Sequence, residues 1–179
     1  MYKFIALLVF GFTSVISGCA DVTSITRETP REVVLDSKAK AYVSVPPDGQ
    51  YEQQVYPGSG MAAAGIVLAA FSTKMLHVDI ADKKGYFDQA LSHARREGYR
   101  YLIAPKITHW EHSNVALSGR PSKASINISI VDVKTGDLID SVIINSHSSV
   151  VRMTAPSPEI ILPEPVQAYV NTIGFSQEL

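Results

Sequence analysis

Residues 108–112, Thr-His-Trp-Glu-His, crowd more reactive side chains together than any other stretch of the chain. In an extended strand His109 and Glu111 share one face, while Trp110 and His112 share the other. Two ligands two residues apart, joined by a third such as His147, form the beginnings of a zinc site. Two other readings compete: a polar strand end with its aromatic packed against a helix, or Trp110 as an exposed anchor for a partner, since tryptophan is enriched at binding hot spots. Other clusters carry less. Gly58 and Gly60 precede an Ala-rich segment, but neither the G-x-G-x-x-G spacing nor a Lys-Ser/Thr pair follows, so they read as a loop bend, with close packing at Gly65. No G-x-S-x-G elbow and no H-E-x-x-H occurs. Arg95, Arg96 and Arg100 gather at one helix end and complement its dipole. Residues 155–165 are proline-rich around Ile160 and Leu162, a strap over a sheet. No catalytic, cofactor or metal residue is assigned, and the chain is expected not to be an enzyme.

The remaining reactive group is the thiol of Cys19, the single cysteine of 179 residues. It follows Lys3, an apolar run from Phe4 to Phe12, and a small or weakly polar stretch from Thr13 to Gly18. These three parts form a secretory signal, too short for a spanning helix of roughly 20 apolar residues. Ile16-Ser17-Gly18-Cys19 resembles the lipobox of bacterial lipoproteins, with an aliphatic residue, two small residues and then Cys. The resemblance implies diacylglycerol transfer to the Cys19 thiol, cleavage between Gly18 and Cys19, and acylation (palmitate among the chains) of the freed amine. More than one chain gives stable anchoring, whereas one gives only marginal binding. Lipidation also consumes a thiol that would otherwise sit alone in an oxidising compartment. Ala20 stands where an inner-membrane retention Asp would stand, and Asp21 comes one position later. That implies sorting to the outer membrane, on its periplasmic face. Loss of residues 1–18 takes one basic residue, Lys3, from 16 and leaves 17 acidic ones, a net charge of -2. Such a balance excludes the electrostatic footprint of a nucleic-acid binder.

Those groups need elements to position them. Residues 19–40 mix charges, Ser, Thr and Pro30 with no sustained period and read as a flexible tether, spanning roughly 25 Å as a coil. Residues 41–46 alternate as a strand and stop at Pro46-Pro47. Ser59 is expected to cap a helix over residues 60–75, and residues 76–81 alternate again. Residues 86–98 place Phe87, Ala90, Leu91 and Ala94 on one helical face, with Gly98 ending it. Residues 99–112 are β-rich, with Pro105 marking a bulge or an edge. Residues 122–133 and 138–151 form a hairpin about Lys134-Thr135-Gly136-Asp137. Pro163 and Pro165 open a last helix. The order β-α-β-α-β-β-β-α predicts an α/β (α+β) sandwich, a mixed sheet of about five strands with helices on its faces, in one domain over residues 41–179.

This order is similar to the periplasmic domain of several envelope lipoproteins and of the N-terminal part of the TolB translocation protein. The residues carrying the likeness are "AYVSVP", "REGYRYLIAPKI" and "VDVKTGDLIDS". It resembles the lipoprotein activators of peptidoglycan synthases and the curli secretion lipoprotein, although no long amphipathic segment suits a pore. The whole chain resembles a family of small Gram-negative lipoproteins of unknown function. The resemblance implies a non-catalytic, membrane-anchored adaptor that binds an envelope protein through a sheet edge or the Trp110 region, including His109 and Glu111. A domain binding a small ligand or a metal is the alternative.

Overall fold

The computed structural model describes residues 21–28, 32–113, 120–149 and 155–176. The signal, Cys19 and Ala20 lie outside them, as do residues 29–31, 114–119, 150–154 and 177–179. Ten strands and four helices follow in chain order: β1 Val22–Arg27, β2 Val34–Asp36, β3 Lys40–Val45, β4 Gln50–Tyr51, β5 Gln54–Val55, α1 Ser59–Ser72, β6 His77–Lys84, α2 Phe87–Arg96, β7 Tyr101–Glu111, β8 Lys123–Asp132, β9 Leu138–His147, α3 Pro158–Ile161, α4 Pro163–Val170 and β10 Gly174–Ser176. Six strands make the main sheet in the order β1-β9-β8-β7-β3-β6. The pairs β3–β6 and β3–β7 are parallel and the rest antiparallel, so the sheet is mixed as the alternation of elements predicts.

The core follows from strand periodicity. Ile126, Ile128 and Ile130 of β8 are buried on one face with Val142 and Ile144 of β9, while Asn127 and Ser129 point the other way. Helices α1, α3 and α4 cover the apolar face. Helix α2 lies against the opposite face, where its His93 ring meets Tyr42 at 4.8 Å. Pro105 sits in an interior strand, yet the β3–β7 pairing reaches only Ile103, so no donor is required of it on that side. The irregularity falls two residues on, between Ile107 and His109.

Three expectations are corrected. Residues 22–27, read as tether, form β1 and pair with β9 from Val22↔His147 to Arg27↔Val142, giving a sixth strand. Residues 34–36, within the same expected tether, form β2, parallel to β10 at residues 174–176. Ser59 lies inside α1 and does not cap it. Its hydroxyl donates to the Tyr56 carbonyl (2.7 Å) and accepts from Gly49 N–H (2.8 Å).

The cap comes from ten residues upstream. Asp48 Oδ1 accepts from the N–H groups of Gly58 (3.1 Å) and Gly60 (3.0 Å), and Oδ2 meets Lys84 Nζ at 3.2 Å. The bond from Gly60, foremost, with help from Lys84 and Gly58, holds the carboxyl below its ordinary 3.8. Gly60 is fixed sterically as well, since a Cβ there would lie 2.2 Å from the Pro46 carbonyl oxygen; at Gly65 nothing stands within 4 Å. The tight approach expected at Gly65 therefore occurs at Gly60. Substitution Asp48→Ala is expected to cost about 0.5–2 kcal/mol, the range for a lost helix cap, in urea melts at neutral pH. A carboxyl with a depressed folded pKa stabilises the fold above its unfolded value. The difference between wild type and variant is therefore expected to shrink as pH falls below 3.8.

Candidate functional site

The residues singled out for chemistry are separated by the fold. Trp110 is 1 % exposed, on the core side of β7, and cannot serve as an exposed anchor. Its register partner is Ala124, next to Ser146 on β9, and this row of small side chains leaves room for the indole. His109 and Glu111 do share the outer face, with Nε2 and Oε2 3.3 Å apart, and Tyr51 leans on the His109 ring at 4.8 Å. His147 lies opposite Lys123, two strands from Glu111, so the three proposed ligands do not converge. Among the described residues no group of three His, Cys, Asp or Glu could hold a metal.

Two of the three arginines are structural. Arg95 Nε donates to the Val133 carbonyl (2.8 Å) and Arg100 pairs with Asp132 (3.2 Å), fastening α2 to the β8–β9 hairpin. Residues 155–165 act as the expected strap, with Ile161 and Leu162 buried and the Ile161 carbonyl accepting from Ser146 Oγ at 3.0 Å.

Beyond α2, the outer face of the sheet is a ladder of short polar side chains. Thr108 donates to Ser125 (2.8 Å), Ser125 to Asn145 (2.6 Å), and Asn145 to Ser24 on β1 (3.3 Å). Such a ladder satisfies its own donors and acceptors.

The strand that sequence reading missed holds the more active chemistry. β1 is a sheet edge, and five of its six residues are exposed. It contains no Lys, no Pro and no bulge, the usual devices that blunt an edge. The other edge, β6, is blunted by Asp79, Asp82, Lys83 and Lys84 and by the irregular pairing of β3 near Val45. Along β1 runs a groove of about 590 Å³ bounded by Ile25, Ile160 and Pro165, with Asp21 and Glu164 contributing acid. Ile25 and Ile160 are 41 % and 65 % exposed.

One buried contact fixes β1 in place. Arg27 Nε lies 3.0 Å from Oδ2 of Asp140, which is fully buried on β9. Tyr169 of α4 donates to the same oxygen at 2.9 Å, and the guanidinium stands over its ring at 5.6 Å. Burial first, then the Asp140 charge, pushes the Tyr169 phenol far above its ordinary range, so it remains a donor. Oδ1 of Asp140 has no hydrogen-bond partner among the described residues.

A mixed sheet with helices on both faces, open along one unprotected edge, defines an α+β fold. The PelC structure shares this fold. PelC from Paraburkholderia phytofirmans, described as a dodecamer, superposes with a TM-score of 0.66 at 14 % identity, covering 87 % of this chain and 100 % of that one. The LpoB C-terminal domain from Salmonella enterica matches 60 % of this chain and 81 % of its own at 15 % identity, TM-score 0.41. A lipoprotein from Neisseria meningitidis matches 74 % and 96 % at 14 % identity, TM-score 0.42. No curated protein matches the sequence. The chain belongs to the family "Domain of unknown function (DUF4823)", whose model matches residues 33–173.

Proposed function

We propose that this protein is a non-catalytic adaptor of the bacterial envelope, anchored to the periplasmic face of the outer membrane through acylated Cys19, that binds another envelope protein along β1. The unprotected β1 edge beside a groove of mixed apolar and acidic lining carries the reading. An exposed edge binds an extended segment by adding a strand; backbone hydrogen bonds supply affinity and the groove reads alternate side chains. Ile25, Ile160 and Pro165 suit an apolar residue, and Asp21 with Glu164 suits a Lys or Arg nearby.

The occupant is a strand of a different protein. Two copies joined edge to edge by a two-fold axis pair their β1 strands antiparallel, which sends the two Cys19 anchors in opposite directions. PelC is described as a dodecamer, so head-to-tail docking of a second copy is the competing outcome.

A photocrosslinking residue at Ser24 tests this in cells, with one at Asp79 on β6 as control and Cys19→Ser in parallel. The expected result is one discrete adduct at Ser24 with another envelope protein, lost in Ile25→Lys and in Cys19→Ser. An adduct of twice the chain mass would replace the adaptor by a homo-oligomer. Equal labelling at Ser24 and Asp79 would remove the edge as the site.

A further inference from the structure

We propose that the end of the sheet carrying Val22, His147, Lys123 and Glu111 rests on the phospholipid headgroups of the membrane that holds Cys19. This rests on the acylation of Cys19 proposed above. The deciding observation is where β1 begins. Asp21 is only two residues from Cys19, and fully extended chain spans at most about 3.6 Å per residue, so it lies within about 7 Å of the lipidated position.

Asp21 is not free to swing. Its Oδ1 accepts from Ser149 N–H at 3.2 Å, and β1 pairs with β9 along its whole length. A tether of some 20 residues would let any face of the domain reach the bilayer. A two-residue link to a strand locked into the sheet admits one end only.

That end is a defined surface. Val22, His147, Lys123 and Glu111 lie in one register row across β1, β9, β8 and β7, about 14 Å wide at ordinary strand spacing. Just beyond the row, serines close the strand ends. Ser148 N–H donates to the Ser122 carbonyl, Ser122 N–H to Ser148 Oγ, and Ser113 N–H to Ser122 Oγ, at 3.0 to 3.1 Å. Among the described residues these bonds fasten the ends of β7, β8 and β9 to one another.

Its chemistry suits a headgroup layer. Lys123, half exposed, and Arg120 offer cations on long apolar stems, which place the charge among phosphates while the stem lies on the domain. Val22 and His147 are exposed beside them, on β1 and β9. Glu111, the acid of the row, is turned to His109 and Lys123. The Lys134–Asp137 turn stands at the opposite end of the strands, about 30 Å away along the length of β7.

The test uses the full acylated chain in vesicles of phosphatidylethanolamine and phosphatidylglycerol. Acylation blocks the only native thiol, so an environment-sensitive fluorophore labels a single added cysteine, at His147→Cys or Lys123→Cys near the anchor and at Lys134→Cys far from it. A lipid with a nitroxide on its headgroup is the quencher. Strong loss of emission at 147 and 123, with emission at 134 unchanged, is the expected result. Bound, acylated protein with equal quenching at both ends, or none near the anchor, overturns the orientation while leaving the anchor intact. Intact mass showing an unmodified Cys19, or vesicle binding that survives Cys19→Ser, removes the anchor and the orientation with it.

Discussion

Trp110→Ala is expected to lower stability by about 3–5 kcal/mol, the range for truncating a buried Trp. The side chain is among the largest that are fully buried, and its row neighbours Ala124 and Ser146 are too small to collapse into the vacated space. Gly49 adds to the cost. A Cβ at that position would come within 2.6 Å of the Trp110 Cβ, so the loop before β4 is seated directly on this side chain. The indole thus supports both β7 and the loop that brings Asp48 to α1. Chemical denaturation of the variant checks the magnitude, and near-UV circular dichroism should lose the signal of the chain's one tryptophan. A variant as stable as wild type that no longer captured its partner would instead restore Trp110 to the surface role first expected for it.

That reversal shows where sequence reading stops. The alternation in residues 108–112 correctly separates His109 and Glu111 from Trp110. It does not say which face is the core, because a histidine stands on each side. Where one face is wholly apolar, as Ile126, Ile128 and Ile130 are against Asn127 and Ser129, alternation sets both strand and facing. Helix α2 was legible for a similar reason, its apolar residues returning every turn and Gly98 closing it at φ 73. The strand β1 was not legible. Val-Thr-Ser-Ile-Thr-Arg offers only Ile25 to the core side among polar neighbours, and its existence depends on β9, more than a hundred residues later. The α1 cap hid similarly, since the carboxylate comes from Asp48 and not from the adjacent Ser59. The candidate site was the least legible part of the chain, because the edge that defines it had been read as linker.

The contact that makes β1 a strand yields the second large effect. Arg27→Ala is expected to destabilise the protein by about 3–5 kcal/mol, the range for removing one partner of a buried ion pair. Asp140 is fully buried and Arg27 is 22 % exposed, so the loss leaves a carboxylate in the core with Tyr169 as its one remaining donor. Among the described residues Oδ1 has no partner, so none of them offers a spare hydrogen bond to absorb the change. The pair itself need not be a net gain, because desolvating both charges offsets much of their attraction. A triple replacement, Arg27→Met with Asp140→Leu and Tyr169→Phe, should therefore recover much of what Arg27→Ala loses. Hydrogen exchange separates the pair's local role from its global one. In Arg27→Ala the amides of β1 should lose protection ahead of those of β8, because Arg27 ties β1 to both β9 and α4, whereas β8 remains paired on both sides. If β1 and β8 open together, the edge is an inseparable part of the cooperative core. If β1 opens first, the Arg27–Asp140 pair is what holds the β1 edge in place.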